Sequence, residues 1–186
     1  MDHFVGAEIL KSGHMGIKTP EFIKPAKELF LFFHQNCTTD KIWLNLCGLC
    51  GNGKTTAMKA MFEMIRYYQG YEDGKYAVQF PFSCRYLTAT ELAEIIAHDR
   101  PTWNVIKNYQ VLFVDDVGTE PAAIMDYGNH ITPFVELITN RYNNRLGLVF
   151  TTNIPPKDMA ARYGIRIADR LKECCEIVVF EGKNMR

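Results

Sequence analysis

No apolar run in the chain approaches the roughly eighteen residues that a bilayer-spanning helix needs, so the sequence offers no membrane segment. Its start, MDHFVGAEILKSGH, lacks the basic-then-apolar layout of a secretory leader, and a cytoplasmic protein is expected. Neither sign of charge is in excess: 21 basic residues face 21 acidic ones. No global positive field therefore marks nucleic acid as the partner, although a local patch stays open. Paired cysteines are also scarce. Of six, Cys47 and Cys50 have C-x-x-C spacing, but the other close pair, Cys174 and Cys175, is adjacent and makes no second such motif. Small buried, reduced thiols are expected rather than a zinc or redox centre. The 186 residues, 47% of them hydrophobic, suit one globular domain with a real core.

What the chain does have is Gly48-Leu49-Cys50-Gly51-Asn52-Gly53-Lys54-Thr55, which matches G-x-x-x-x-G-K-[ST]. In such a loop backbone N–H groups wrap phosphates, the Lys reaches the outer ones and the hydroxyl holds Mg²⁺. Context supports the match. Lys41 to Cys47 (KIWLNLC) reads as a buried strand, and Thr55 to Tyr68 places Met58, Met61, Phe62 and Ile65 on one helical stripe. Strand, glycine-rich loop and helix must come in that order, because the helix N-terminus turns its free N–H groups toward the anion.

Along the chain, residues 1–24 read as a loosely structured lead-in and 25–186 as the folded domain, beginning with a helix from Pro25. Gly70 to Lys75 is a turn, and Tyr76 to Tyr86 is an aromatic segment whose Pro81 suggests an edge strand or a break. Thr88 to His98 opens on a capping box, Thr88 with Glu91, and buries Leu92, Ile95 and Ile96. Trp103 to Asn108 makes another partial turn. Further apolar runs are Val111 to Gly118, Leu146 to Thr152 and Glu176 to Phe180, with helices expected over Ile131 to Asn144 and, in two pieces, over Lys157 to Cys174. Strands alternating with helices mean an α/β fold with a parallel sheet, and ligands then sit at the strands' carboxyl ends. Gly51, Asp115 and Asn153 would share that edge.

Phosphoryl transfer to water needs a phosphate cradle, a metal, an oriented water and late positive charge. Lys54 is the candidate to neutralise the β and γ phosphates, Thr55 to ligate Mg²⁺, and Asp115 to hold the same ion through water. Val111-Leu112-Phe113-Val114 ending in two carboxylates makes little sense without a cation or water for them. Asp116 is the candidate to polarise the attacking water, or else a cap, with Glu120 in reserve. Asn153 would reach the γ phosphate or the water, although Asn before Ile154-Pro155-Pro156 is also a good turn former. Arg166 and Arg170 share a helical face beside Ile167 and Leu171; they read as a solvated face or as a finger in a neighbouring subunit's site.

The combination resembles the DnaC/DnaI helicase-loader and IstB transposition-helper group of AAA+ ATPases. GLCGNGKTT, VLFVDDVGTE, RYNNRLGLVFTTN, YGIRIADRL and the ending IVVFEGKNMR carry the likeness, from about residue 41 onward. The resemblance implies a P-loop NTPase domain of the ASCE/AAA+ type: a five-stranded parallel sheet with helices on both faces, the phosphate-loop strand beside the Asn153 strand, and no C-terminal lid domain. It implies ATP and Mg²⁺ as cofactors, with Gly48, Cys50, Gly51, Asn52, Gly53, Lys54, Thr55 and Thr56 cradling the nucleotide. Arg186 would touch the γ phosphate in cis. Arg170 is the finger in trans by family pattern and Arg166 the runner-up, so self-association is implied. Adenine specificity rests on the likeness too, no N-K-x-D guanine reader being present. The activity implied is ATP hydrolysis, slow unless stimulated, with a replicative helicase or transposase as protein partner and single-stranded or duplex DNA as ligand.

In the loaders a helical insertion after the second strand helps grip single-stranded DNA. Thr88 to Asn108 occupies that place, offering Arg85, Arg100 and Lys107 with Tyr86 and Trp103, which packing explains equally well. No counterpart of the loaders' separate N-terminal helicase-binding domain is expected in the residues ahead of 20. The alternatives are a P-loop small-molecule kinase and a non-hydrolysing nucleotide-gated adaptor.

Overall fold

The computed structural model describes residues 41–69, 83–126 and 129–180. The lead-in, the helix from Pro25, the turn from Gly70 to Lys75 and Arg186 lie outside them. Strand β1 (Trp43–Gly48) leads through the glycine-rich loop into α1 (Lys54–Gln69). Then come β2 (Cys84–Thr88), α2 (Ala89–His98), α3 (Arg100–Ile106) and β3 (Val111–Val117). A small hairpin, β4 (Ile124–Asp126) with β5 (Asn129–Ile131), precedes α4 (Pro133–Asn143) and β6 (Gly147–Thr152). A short 3₁₀ turn at Pro156–Asp158, α5 (Met159–Tyr163), α6 (Ile165–Cys174) and β7 (Cys175–Phe180) follow.

The main sheet is five-stranded in the order β2-β3-β6-β1-β7, and every pairing is parallel. The phosphate-loop strand lies between β6 and β7, and Cys84 to Thr88 forms the sheet's edge. Alternation along the strands divides the core into two layers. Leu44, Leu46, Phe113, Val149 and Val178 face α1, where Met58, Met61 and Ile65 meet them as the helical stripe requires. Trp43, Leu112, Val114, Leu148 and Phe150 face the other way, onto Leu92 and Ile96 of α2, Phe134 and Leu137 of α4, and Ile167 and Leu171 of α6. Each such buried side chain contributes about 1.5–3 kcal/mol relative to exposure.

The caps behave locally as their residues dictate. Thr88 and Glu91 form the reciprocal capping box at the start of α2. Two expectations need correction. The partial turn from Trp103 is a helix starting at Arg100, because the Asp99 side chain accepts the Thr102 N–H at 3.0 Å and Pro101 sits in the first turn, where its missing N–H costs nothing. The helix expected from Ile131 starts at Pro133, since Ile131 pairs with Ile124 in the hairpin. Strands of three residues are too short to show a period.

One residue is buried for architecture alone. Arg141, on α4, is fully enclosed and donates to the carbonyls of Lys107 (3.2 Å), Gln110 (2.9 Å) and Gly147 (2.6 Å). It ties together the carbonyls where the chain enters β3 and β6, sharing that of Gln110 with the Gly147 N–H. Burial lowers its pKa to about 9, which leaves it charged at neutral pH.

Candidate functional site

The glycine-rich loop joins β1 to α1 at the carboxyl edge of the sheet. Gly48 must be glycine: its φ is 149°, and a Cβ would lie 2.5 Å from the Phe180 carbonyl oxygen and 2.6 Å from Asn52 Nδ2. Gly51 and Gly53 also take positive φ, 84° and 90°, curling the loop ahead of the helix. The buried Asn52 side chain donates to the Phe180 carbonyl, which ties the loop to β7. Cys50 is exposed within the loop and Cys47 is buried at the strand's end. Burial pushes the Cys47 thiol up, with the Lys54 charge opposing it. Among the described residues no group of three or more His, Cys, Asp or Glu side chains could hold a metal.

Lys54 opens α1 but its ammonium turns back over the loop. Nζ donates to the carbonyls of Gly48 (2.8 Å) and Leu49 (2.7 Å), to Asn52 Oδ1 (3.1 Å) and, across the cleft, to Asn153 Oδ1 (2.9 Å). Three N–H bonds are thus shared among four acceptors, and an outside anion would compete with loop carbonyls for a charge already aimed at the cleft. Burial lowers the Lys54 pKa, while Cys50, Asp116, Cys47 and Asp115 pull it back up.

Thr55 follows on α1, and its hydroxyl donates to Asp115 Oδ1 at 3.0 Å. Asp115 is buried near the end of β3, on the face that meets α1. Its carboxylate is held on every side. Thr151 Oγ1 donates to Oδ1 at 2.5 Å and Tyr86 OH donates to Oδ2 at 2.7 Å. The Tyr86 hydroxyl is pushed well above its usual pKa by burial first and by Asp115 second, so it stays a donor.

The next residue owes its position to an irregularity. Val114 pairs with Phe150 and Val117 with Thr152, so two residues of β3, Asp115 and Asp116, lie opposite Thr151 alone. In a regular strand Asp116 would follow Leu112 and Val114 into the apolar layer; the bulge hands that place to Val117 and leaves Asp116 exposed. The cost is a left-handed φ of 57° at Asp116, a conformation Asp tolerates better than most residues. The Asp116 N–H donates to Thr151 Oγ1 at 2.8 Å, and its carbonyl accepts the Thr119 N–H at 3.1 Å and the Thr119 hydroxyl at 2.8 Å.

Asn153 directly follows the neighbouring β6, within hydrogen-bond reach of Lys54. Lys54, Thr55, Asp115 and Asn153 therefore converge, with the exposed Asp116 beside them. Thr56 continues the first turn of α1 behind them. Glu120 does not join the group. It is 2% exposed, and its carboxylate accepts from the Gly118 N–H at 2.7 Å and the Tyr163 hydroxyl at 2.5 Å, with Arg162 Nη2 on its backbone carbonyl at 2.8 Å. It secures the loop after β3 to α5.

The two arginines of α6 part company. Arg170 is 7% exposed, lies 4.6 Å from the centre of the Tyr142 ring and donates to Thr139 Oγ1 at 3.0 Å. Arg166 is exposed, next to an Ile165 that is 74% exposed. The aromatic and basic residues after β2 are engaged in packing. Trp103 is buried and donates to Glu136 Oε1 at 2.6 Å, Arg100 pairs with the same oxygen at 2.7 Å, and Tyr86 serves Asp115. Arg85 is exposed and Lys107 partly so.

Sequence reasoning missed Thr151 and the role of Tyr86. Neither residue type signals a site; only the strand order, which sets β2 and β6 on either side of β3, could have found them.

No family model matches the chain, and no curated protein does. Solved structures do match. A candidate primosome component of Streptococcus pyogenes serotype M3 superposes with a TM-score of 0.67 at 18% identity, over 94% of this chain and 87% of that one. A DnaC helicase loader gives 0.61 at 20% identity, over 90% of this chain and 94% of that one. A replication initiator DnaA bound to AMPPCP and single-stranded DNA gives 0.57 at 17% identity, and this chain, covered over 95% of its length, spans 50% of that one. The chain has the α/β P-loop fold of the AAA+ type that these structures share.

Proposed function

We propose that the protein binds ATP with Mg²⁺ and hydrolyses it, as a switch of the DnaC/DnaI helicase-loader or IstB transposition-helper kind that assembles on DNA or with a replication or transposition partner. The observation that carries this reading is the 3.0 Å approach of Thr55 Oγ1 to Asp115 Oδ1 beside the Lys54 ammonium. A hydroxyl and a carboxylate are the hard oxygen donors that Mg²⁺ takes, so the residues fit the ion. When bound, Mg²⁺ neutralises charge on the phosphate oxygens.

The remaining roles follow from position. The N–H groups from Gly48 through Thr56 cradle the phosphates, and Lys54 exchanges its loop carbonyls for phosphate oxygens. Asp116, held outward by its bulge, orients a water for attack on the γ phosphorus. The bond to the leaving ADP oxygen then breaks, releasing ADP and phosphate. Asn153 keeps Lys54 and the water in register. Arg186, outside the described residues, is assigned to the γ phosphate in cis by the resemblance alone. Between the two arginines of α6, exposure favours Arg166 as the finger offered to a neighbouring subunit, since Arg170 would first have to leave Tyr142 and Thr139.

Phosphate release from ATP, measured against protein concentration and against added single-stranded DNA, tests the reading. Turnover that rises with either and is lost in Lys54→Ala supports it. Absence of ATP binding by the intact chain overturns it, and transfer of label to a small-molecule acceptor instead of water would put a kinase in its place.

A further inference from the structure

We infer that Thr151 and Tyr86 are positioning residues for the two acids: together they set the orientation of the Asp115 carboxylate, and Thr151, but not Tyr86, also helps to hold the backbone of Asp116. The inference rests on the ATP and Mg²⁺ reading above and deepens it.

Thr151 occupies the centre of the β3 bulge, the single residue opposite Asp115 and Asp116. Its one hydroxyl works in both directions, donating to Asp115 Oδ1 at 2.5 Å and accepting the Asp116 N–H at 2.8 Å. A single fully buried oxygen therefore couples the carboxylate that faces Thr55 to the backbone that turns Asp116 toward solvent. No apolar residue of similar shape does either job. With Val at this position Asp115 would lose a charge-assisted bond and the Asp116 N–H its Thr151 partner, and the left-handed turn would be held only from its carbonyl side, by Thr119.

Tyr86 closes the other side. It lies on β2, two residues before the position paired with Asp115, and its ring packs on Phe62 of α1. Its hydroxyl occupies Oδ2, so rotation of the carboxylate is blocked and Oδ1 is kept toward Thr55. Outer partners that orient a ligating carboxylate typically matter by about 10–100-fold in metal affinity or activity. The division of labour is specific: Tyr86 touches Asp115 but not the Asp116 backbone, whereas Thr151 touches both.

The test uses the full chain with Thr151→Val, Thr151→Ser and Tyr86→Phe. Calorimetry measures ATP affinity with excess chelator and again with saturating Mg²⁺, and phosphate release is followed as Mg²⁺ is titrated. Metal-free ATP affinity should be unchanged in all three variants. The fold by which Mg²⁺ tightens ATP binding should fall about tenfold in Thr151→Val and Tyr86→Phe and be restored in Thr151→Ser. At saturating Mg²⁺, kcat should recover in Tyr86→Phe but stay low in Thr151→Val. Equal Mg²⁺ enhancement in all variants overturns the inference, as does failure of Thr151→Ser to rescue while its unfolding midpoint matches the parent. Failure of the parent chain to bind ATP at all would instead overturn the reading beneath it, and a parent that binds without hydrolysing still tests the Asp115 half through the calorimetry.

Discussion

Lys54 Nζ and Asn153 Oδ1 lie 2.9 Å apart, although one residue opens α1 after the phosphate loop and the other, 99 positions later, directly follows β6. Parallel pairing of β1 with β6 makes the meeting unavoidable, since Cys47 and Thr152 are register partners at the sheet's edge. The cleft is thus assembled by the sheet itself. On the proposed reading Asn153 and Asp116 should bear on turnover more than on binding. Asn153→Ala and Asp116→Asn should each keep ATP affinity within about threefold and lower kcat by at least about 100-fold, read by calorimetry and phosphate release. Asn accepts a left-handed φ as readily as Asp, so the second variant should leave the bulge and the unfolding midpoint unchanged.

Glu120, whose buried carboxylate accepts from the Gly118 N–H and the Tyr163 hydroxyl, is expected to act as a structural acid. Tyr163→Phe removes the donor to a buried carboxylate oxygen and should lower stability by about 1–3 kcal/mol in urea titration. Glu120→Gln keeps shape and part of the hydrogen bonding, and ATP turnover measured below its unfolding transition should stay within a few-fold of the parent. A 100-fold loss in that folded variant would return Glu120 to the list of bases.

The arginines of α6 should separate by readout. Arg170→Ala loses a guanidinium stacked on Tyr142 and bonded to Thr139, so the unfolding midpoint should drop. Arg166→Ala should leave that midpoint alone and abolish only the part of turnover that rises with protein concentration. Mixing Arg166→Ala with Lys54→Ala chains checks the trans assignment: each lacks a different half of one composite site, and partial recovery is expected.

Arg141 should be costly to remove, since it is fully buried and donates to three carbonyls. Arg141→Met removes the guanidinium donor from the carbonyls of Lys107, Gln110 and Gly147, of which Gln110 keeps the Gly147 N–H, and the expected loss is about 3 kcal/mol. Arg141→Lys should recover only part of it, because one ammonium cannot reproduce the planar fork that spans these acceptors. Denaturant midpoints at matched m-values decide it.

The frame of the molecule was legible because it is written in long or unusual stretches. Lys41 to Cys47, Val111 to Val117 and Leu146 to Thr152 are largely apolar runs, and Lys54 and Thr55 after the first, Asp115 within the second and Asn153 after the third meet at one edge of the sheet. The capping pair Thr88 and Glu91 also announced its helix. What stayed hidden depends on register or burial. The β4–β5 hairpin is too brief to carry a period, and α3 begins at a cap, Asp99, that no apolar residue flags. Trp103 and Tyr86 could equally have stacked on DNA bases; burial and the partners Glu136 and Asp115 draw them inward. Thr151 is an ordinary strand residue until the bulge opposite it is known.

The proposed chemistry comes down to whether Lys54, Thr55 and Asp115 hold a metal-bound triphosphate. Calorimetric titration of the chain with ATP, with and without Mg²⁺, is the most direct measurement. The parent should bind ATP at one site per chain, more tightly with Mg²⁺; Asp115→Asn should lose the Mg²⁺ enhancement while keeping metal-free binding, and Lys54→Ala should lose both. Mg²⁺-enhanced binding that persists undiminished in folded Asp115→Asn and Lys54→Ala chains would contradict the assignment.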